Sequence, residues 1–292
     1  MDKAVAPGEQ ILRAFGLNGV PEPLAGGMGL CFRIGNVVLK PTDDKHEAQG
    51  VSELTAHLLS NVSSEYRLSR PIPIIRDAAK YVHSGWTAST FLEGSSGSKP
   101  RIAETLSVSR AFHRDLAMAY FKKPRFVDER INRWSESDRV TWGEKALEDV
   151  DNVDFVILEI LNPTLEQLKE MMEPLPRDLE SQLMHADLAG NVLFDDQSGL
   201  APAIIDLTMY WRPAAYAEAI MVVDGIMWHG EGKELIELCG TGQVWIQLLI
   251  RALYWREITF AIDPDEQFIS ANFGRVDFQE AVNALRRCIP SM

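Results

Sequence analysis

His185-Ala186-Asp187-Leu188-Ala189-Gly190-Asn191-Val192-Leu193-Phe194 is followed, across a turn at 195–199, by Ala203-Ile204-Ile205-Asp206. The short apolar runs read as strands on either side of the turn, so the stretch spells loop, strand, turn, strand. Its polar residues fall at the strand edges: an acid, an amide four residues on, and a second acid beyond the strand pair. A carboxylate with an amide carbonyl suits a hard divalent cation such as Mg²⁺. A further carboxylate can orient an attacking hydroxyl and accept its proton. Phosphoryl transfer needs this combination, because it relies on positioning and charge neutralisation more than on covalent chemistry.

The strings HADLAGNVLF (185–194) and AIIDL (203–207) resemble the H-x-D-x-x-x-x-N and I-D motifs of the aminoglycoside phosphotransferases and choline kinases, small-molecule relatives of the protein kinases. The resemblance implies an α+β, two-lobed protein kinase-like fold with a small β-rich N-lobe and a larger, mainly helical C-lobe. It implies ATP and Mg²⁺ as cofactors and a small-molecule hydroxyl as phosphate acceptor. Asp187 would be the catalytic base, Asn191 and Asp206 the metal ligands, and His185 a structural loop residue. Ala186 stands where relatives often carry Gly; a positive φ there would be strained for Ala.

Upstream, the first third reads as strand-rich, after a short helix over 10–15. Residues 30–34 and 37–40 form a predicted hairpin about Gly35-Asn36, and Lys40 closes its second strand. From 43 to 61 the period becomes helical. Val51, Leu54 and Leu58 share a stripe with Glu47, whereas Glu53 lies off it. An acid on the inward stripe needs a partner. A kinase requires a strand lysine at the nucleotide phosphates and a helix glutamate that holds it, which assigns Lys40 and Glu47 to those parts. Gly26, Gly27 and Gly29 would form the phosphate-covering loop; a hairpin turn uses the same residues, and no Walker A lysine follows.

Two further strands are predicted over 71–75 and 80–92. The linker-like Ser95-Ser96-Gly97-Ser98 then places the domain boundary between 94 and 95, giving a nucleotide-binding lobe (1–94) and a catalytic and substrate-binding lobe (95–292). By the resemblance, Phe91 and Leu92 lie in a hinge that holds adenine through backbone groups. Helices are predicted over 102–120, 164–172, 216–228 and 245–260, the last a packing element despite its tryptophans. Asp224, in an apolar helix, reads as a buried acid satisfying loop amides. Trp211-Arg212-Pro213 either shapes the floor of the site or starts the next helix. Acceptor contacts would come from 125–142 and 230–255, which hold Asp128, Glu129, Asp138, Glu231, Glu234 and Glu237.

Composition narrows the alternatives. A net charge of −13 disfavours nucleic acid as a partner. It would suit a cationic substrate and serves solubility equally well. No apolar run reaches the roughly 20 residues of a membrane span, and residues 1–10 lack the order of a secretory signal. The chain therefore reads as soluble and cytoplasmic. Cys31, Cys239 and Cys288 are scattered thiols without metal or disulfide spacing. The catalytic segment has His185-Ala186-Asp187 and Asp206-Leu207-Thr208 in place of H-R-D and D-F-G, and no A-P-E follows Asp206, which argues against a protein kinase; the lack of G-x-S-x-G argues against a hydrolase. A kinase-shaped nucleotide-binding or scaffold protein without transfer activity is the alternative that the motifs leave open.

Overall fold

The computed structural model describes residues 5–24, 29–60, 63–97, 101–230 and 233–288. In chain order the elements are α1 (Glu9–Ala14), β1 (Glu22–Pro23), β2 (Phe32–Ile34), β3 (Val37–Pro41), α2 (Lys45–Leu58), β4 (Arg67–Leu68), β5 (Val82–His83), β6 (Trp86–Thr90) and α3 (Ile102–Ala119). There follow α4 (Arg125–Glu129), α5 (Arg133–Thr141), α6 (Phe155–Met171), β7 (Gln182–His185), β8 (Val192–Leu193), β9 (Ala203–Ile204) and β10 (Met209–Arg212). The chain ends on α7 (Ala215–His229), α8 (Lys233–Cys239), α9 (Gln243–Ala261), α10 (Glu266–Asn272) and α11 (Phe278–Arg286). This is the α+β class expected, strands early and helices late. No helix among the described residues is long and apolar enough to cross a membrane.

Two compact units emerge, each discontinuous in sequence, in contrast to a single division between 94 and 95. The first takes Met1–Lys99, Arg110–Arg130 and Gly190–Met209; the second takes Pro100–Ser109, Ile131–Ala189 and Tyr210–Met292. The reason for the first is strand pairing. β9 runs parallel to β4 and antiparallel to β8, which ties 190–209 to the N-terminal segment.

The first unit carries an antiparallel sheet in the order β1-β2-β3-β6-β5. One face packs on α1 through Ile11, Leu12, Phe15, Ile34, Leu39 and Ala88. The expected strand over 80–92 is instead the hairpin β5–β6, because Ser84 and Gly85 take positive φ (48° and 77°) and reverse the chain. The expected strand over 71–75 is only a pair of isolated bridges, at Pro71 and Ile74. Pro71 and Pro73 lack the N–H groups that a ladder needs. Helix α2 is fixed at its start by Asp44, whose carboxylate accepts from the N–H groups of His46 and Glu47, both at 2.9 Å. Such caps contribute about 1 kcal/mol.

In the second unit α9 is buried along nearly its whole length and packs against α5, α6, α7 and α11. Its aromatics are core, as expected: Trp255 meets the rings of Trp134, Tyr210 and Tyr216 at 5.8–6.4 Å. Helix α6 begins nine residues before the predicted 164, and Pro163 lies inside it. Asp154 caps the earlier start by accepting from Val156 and Ile157.

Facing α6 from α9, the fully buried Glu257 accepts a 2.6 Å hydrogen bond from the Thr164 hydroxyl. Burial pushes its carboxyl up to about 8, Thr164 opposing. The folded state therefore holds this proton where the unfolded chain has released it, so stability falls as pH rises from about 4.5 through about 8. Glu257→Gln is expected to flatten that slope, raising the melting temperature more at pH 8 than at pH 5; equal shifts at both pH values would contradict the assignment.

Candidate active site

Along β3 the side chains alternate. Leu39 is fully buried in the core shared with α1, and Lys40 emerges on the opposite face. The Lys40 ammonium meets the carboxylate of Asp206, 166 positions away in sequence. Both side chains are nearly half exposed. Pairs of this kind contribute only about 0.2–1 kcal/mol. Cys31 lies beside them: burial pushes its thiol up, and it feels the opposed charges of Lys40 and Asp206.

Asp206 follows β9 with φ +54°, left-handed backbone that a side-chain-bearing residue seldom adopts. Strain of this kind gathers at functional sites. Asn191 is brought to the same edge by the hairpin, since Val192 pairs with Ile204 and the Ile205 N–H donates to the Asn191 carbonyl at 3.0 Å. A carboxylate and an amide on neighbouring strand ends are hard oxygen donors, and Mg²⁺ fits that set.

Glu47 was expected to hold Lys40 and does not. The helical period does separate the two acids by burial, Glu47 being partly buried and Glu53 exposed. Its partner, however, is Arg130, which donates to Glu47 at 2.6 Å and is itself 2% exposed. Arg130 just follows α4, so no local pattern connected it with α2.

Phe91 and Leu92 follow β6. The Phe91 N–H donates to Asn36 at 2.9 Å, and its ring lies 3.6 Å under the Arg33 guanidinium. Gly94 has φ +134°, and a Cβ there would come within 3.0 Å of Leu193 and 3.1 Å of the Phe194 carbonyl, so glycine is required. Gly29, also left-handed at φ +71°, has the freedom proposed for the covering loop, while Gly26 and Gly27 lie outside the described residues.

The second unit contains Asp187. It follows β7, whose last residue, His185, is fully buried and accepts from the Asp187 N–H at 3.4 Å. His185, expected in the loop, thus ends the strand and meets the loop from inside it. Ala186 carries no positive φ, so the departure from Gly brings no strain. Asp224, expected to satisfy loop amides, is instead held bidentately by Arg256, with contacts of 2.8 and 2.6 Å. Burial raises the Asp224 carboxyl above its usual value, Arg256 pulls the other way, and the charge of Asp187 adds to the rise. Arg256 escaped the sequence reading. Helix α9 also carries Arg251 and Glu257, so charge alone did not single out Arg256 as the partner of Asp224.

Several acids named as acceptor contacts are committed within their own units. Asp138 and Glu144 clasp Arg212, which makes Arg212 a buried anchor on β10. Lys123 holds Asp128, and Glu129 meets His46 at 2.7 Å. Glu231 lies outside the described residues, and Glu234 is exposed.

No protein-family model matches the chain, and no curated protein matches it. Solved structures do. A thermostable mutant of aminoglycoside phosphotransferase APH(4)-Ia, in ternary complex with AMP-PNP and hygromycin B, aligns with TM-score 0.55 at 14% identity over 97% of this chain and 98% of that one. Choline kinase LicA from Streptococcus pneumoniae gives 0.54 at 12% identity, covering 96% and 97%. A microcompartment-associated aminopropanol kinase gives 0.54 at 13%, covering 88% and 87%. At such identities the likeness concerns the fold. The chain has the α+β, protein kinase-like fold of the aminoglycoside phosphotransferases and choline kinases.

Proposed function

We propose that this chain is a small-molecule kinase that uses Mg-ATP to phosphorylate a hydroxyl. The observation that supports it best is the meeting of Lys40 with Asp206 at the end of a hairpin that also presents Asn191. In this reading residues 1–94 supply most of the nucleotide-binding lobe, with Gly26, Gly27 and Gly29 over the phosphates and the backbone at Phe91 and Leu92 against the base. Lys40 neutralises phosphate oxygens, while Asn191 and Asp206 hold Mg²⁺. The metal, when bound, would offset charge on the β- and γ-phosphates. Residues 95–292 supply the acceptor site.

Asp187 orients the acceptor hydroxyl and takes its proton. The hydroxyl oxygen forms a bond to the γ-phosphorus as the bond from that phosphorus to the bridging oxygen breaks, and ADP leaves with the electron pair. The acceptors to try first are hydroxylated amines. The chain's net charge of −13 favours cations, and aminopropanol and choline kinases share its fold.

Nucleotide binding tests the reading. A ligand at about 100 times its dissociation constant stabilises the folded state by roughly 2.7 kcal/mol. ATP is expected to raise the melting temperature, more strongly with Mg²⁺ than without. No shift with ATP or GTP, with or without Mg²⁺, would overturn it.

A further inference from the structure

The ion pairs of the first unit are partnered in a way that the proposed function does not by itself require. Lys40 is paired with Asp206, the carboxylate assigned to the metal, and Glu47 is paired with Arg130. Glu47 does not readily change partner, because its carboxylate is engaged by a guanidinium that is 2% exposed, and breaking a buried pair from one side is costly. The Lys40–Asp206 pair is different: both side chains are nearly half exposed, so it exchanges with little penalty.

A divalent cation approaching Asp206 meets the lysine ammonium on the same carboxylate. Like charges repel there, and the ammonium uses an oxygen that the cation would use. A polyphosphate changes this balance. It offers Lys40 new anionic partners and so frees Asp206. We propose that the Lys40–Asp206 pair is an interlock: the carboxylate is opened to a divalent cation only when a nucleotide polyphosphate draws Lys40 away. The inference rests on the proposed reading for the identity of the nucleotide, and it makes metal and nucleotide binding mutually reinforcing. By linkage, each ligand raises the affinity for the other by the same factor. The preceding Ile205 N–H is bonded to the Asn191 carbonyl, which anchors the chain next to Asp206 while the lysine moves.

The experiment uses Mn²⁺ alone, followed by its electron paramagnetic resonance in titrations of the full chain. The unsubstituted protein is expected to bind Mn²⁺ weakly without nucleotide. Lys40→Met removes the competing ammonium and should bind Mn²⁺ about tenfold or more tightly, within the usual range of coupling. Lys40→Arg, which keeps the charge, should restore exclusion, and Asp206→Asn added to Lys40→Met should abolish the gain. Equal Mn²⁺ affinity in the unsubstituted and Lys40→Met proteins, including no binding in either, overturns the interlock. So does a gain that survives Asp206→Asn. Failure of the kinase reading is recognised separately, as no binding of Mg-ATP by a protein whose Lys40→Met variant still gains Mn²⁺.

Discussion

Asp187→Ala is expected to slow phosphate transfer by roughly 10²–10⁴-fold, the range over which a positioned general base acts. Nucleotide affinity should barely change, because the carboxylate acts on the acceptor and not on ATP. Asp187 follows β7 with its backbone N–H tied to buried His185, which fixes where the carboxylate starts. Asn191 then follows after four residues, at the edge that carries Asp206. Initial rates of ADP release, with calorimetric nucleotide affinity beside them, separate the two effects. A loss of kcat at constant nucleotide affinity is the expected signature. A variant that retains the original turnover would remove Asp187 from the mechanism, and one that loses ATP affinity instead would reassign it to the nucleotide.

The second large effect is on stability. Asp224→Ala leaves the Arg256 guanidinium, 9% exposed, without the carboxylate that holds it through two short contacts. Breaking a buried pair from one side destabilises by about 3–5 kcal/mol. Replacing both partners by apolar residues of similar size is often close to neutral. Asp224→Leu with Arg256→Met should therefore recover most of what either single change loses. Chemical denaturation of the four proteins completes a double-mutant cycle. Single variants that each lose less than about 1 kcal/mol would show that the pair behaves as an exposed one.

Much of this architecture was readable from local patterns, and its gaps have local causes. The hairpin 30–40 and the helical period over 43–61 were evident because strand residues, turn residues and the apolar stripe of Val51, Leu54 and Leu58 agree there, while the Asp44 cap fixes the start at Lys45. The long apolar helix α9 announced itself through its run of apolar and aromatic residues over 245–260. The segment 80–92 misled because its apolar residues run on both sides of Ser84-Gly85, whose reversal needs left-handed backbone that Ser does not advertise. The helix expected over 164–172 came out short, since packing on α9 carries α6 through Pro163 from Phe155 onward. What no one-dimensional pattern carries is the choice of partner. Glu47 visibly needed a cation, yet Lys40 and Arg130 both qualified by charge, and only the folded chain selects Arg130. The same holds for Asp224, whose partner lies 32 residues further on.

The measurement that bears most directly on the central proposal is transfer itself. Phosphorus-31 spectra of ATP with Mg²⁺, the protein and a panel of hydroxylated amines follow the fate of the γ-phosphate. A small-molecule kinase gives, for at least one acceptor, a new phosphate-monoester signal that grows in step with ADP and vanishes in Asp187→Ala. Tight Mg-ATP binding with no monoester from any acceptor, or monoester formation that survives Asp187→Ala, would contradict it.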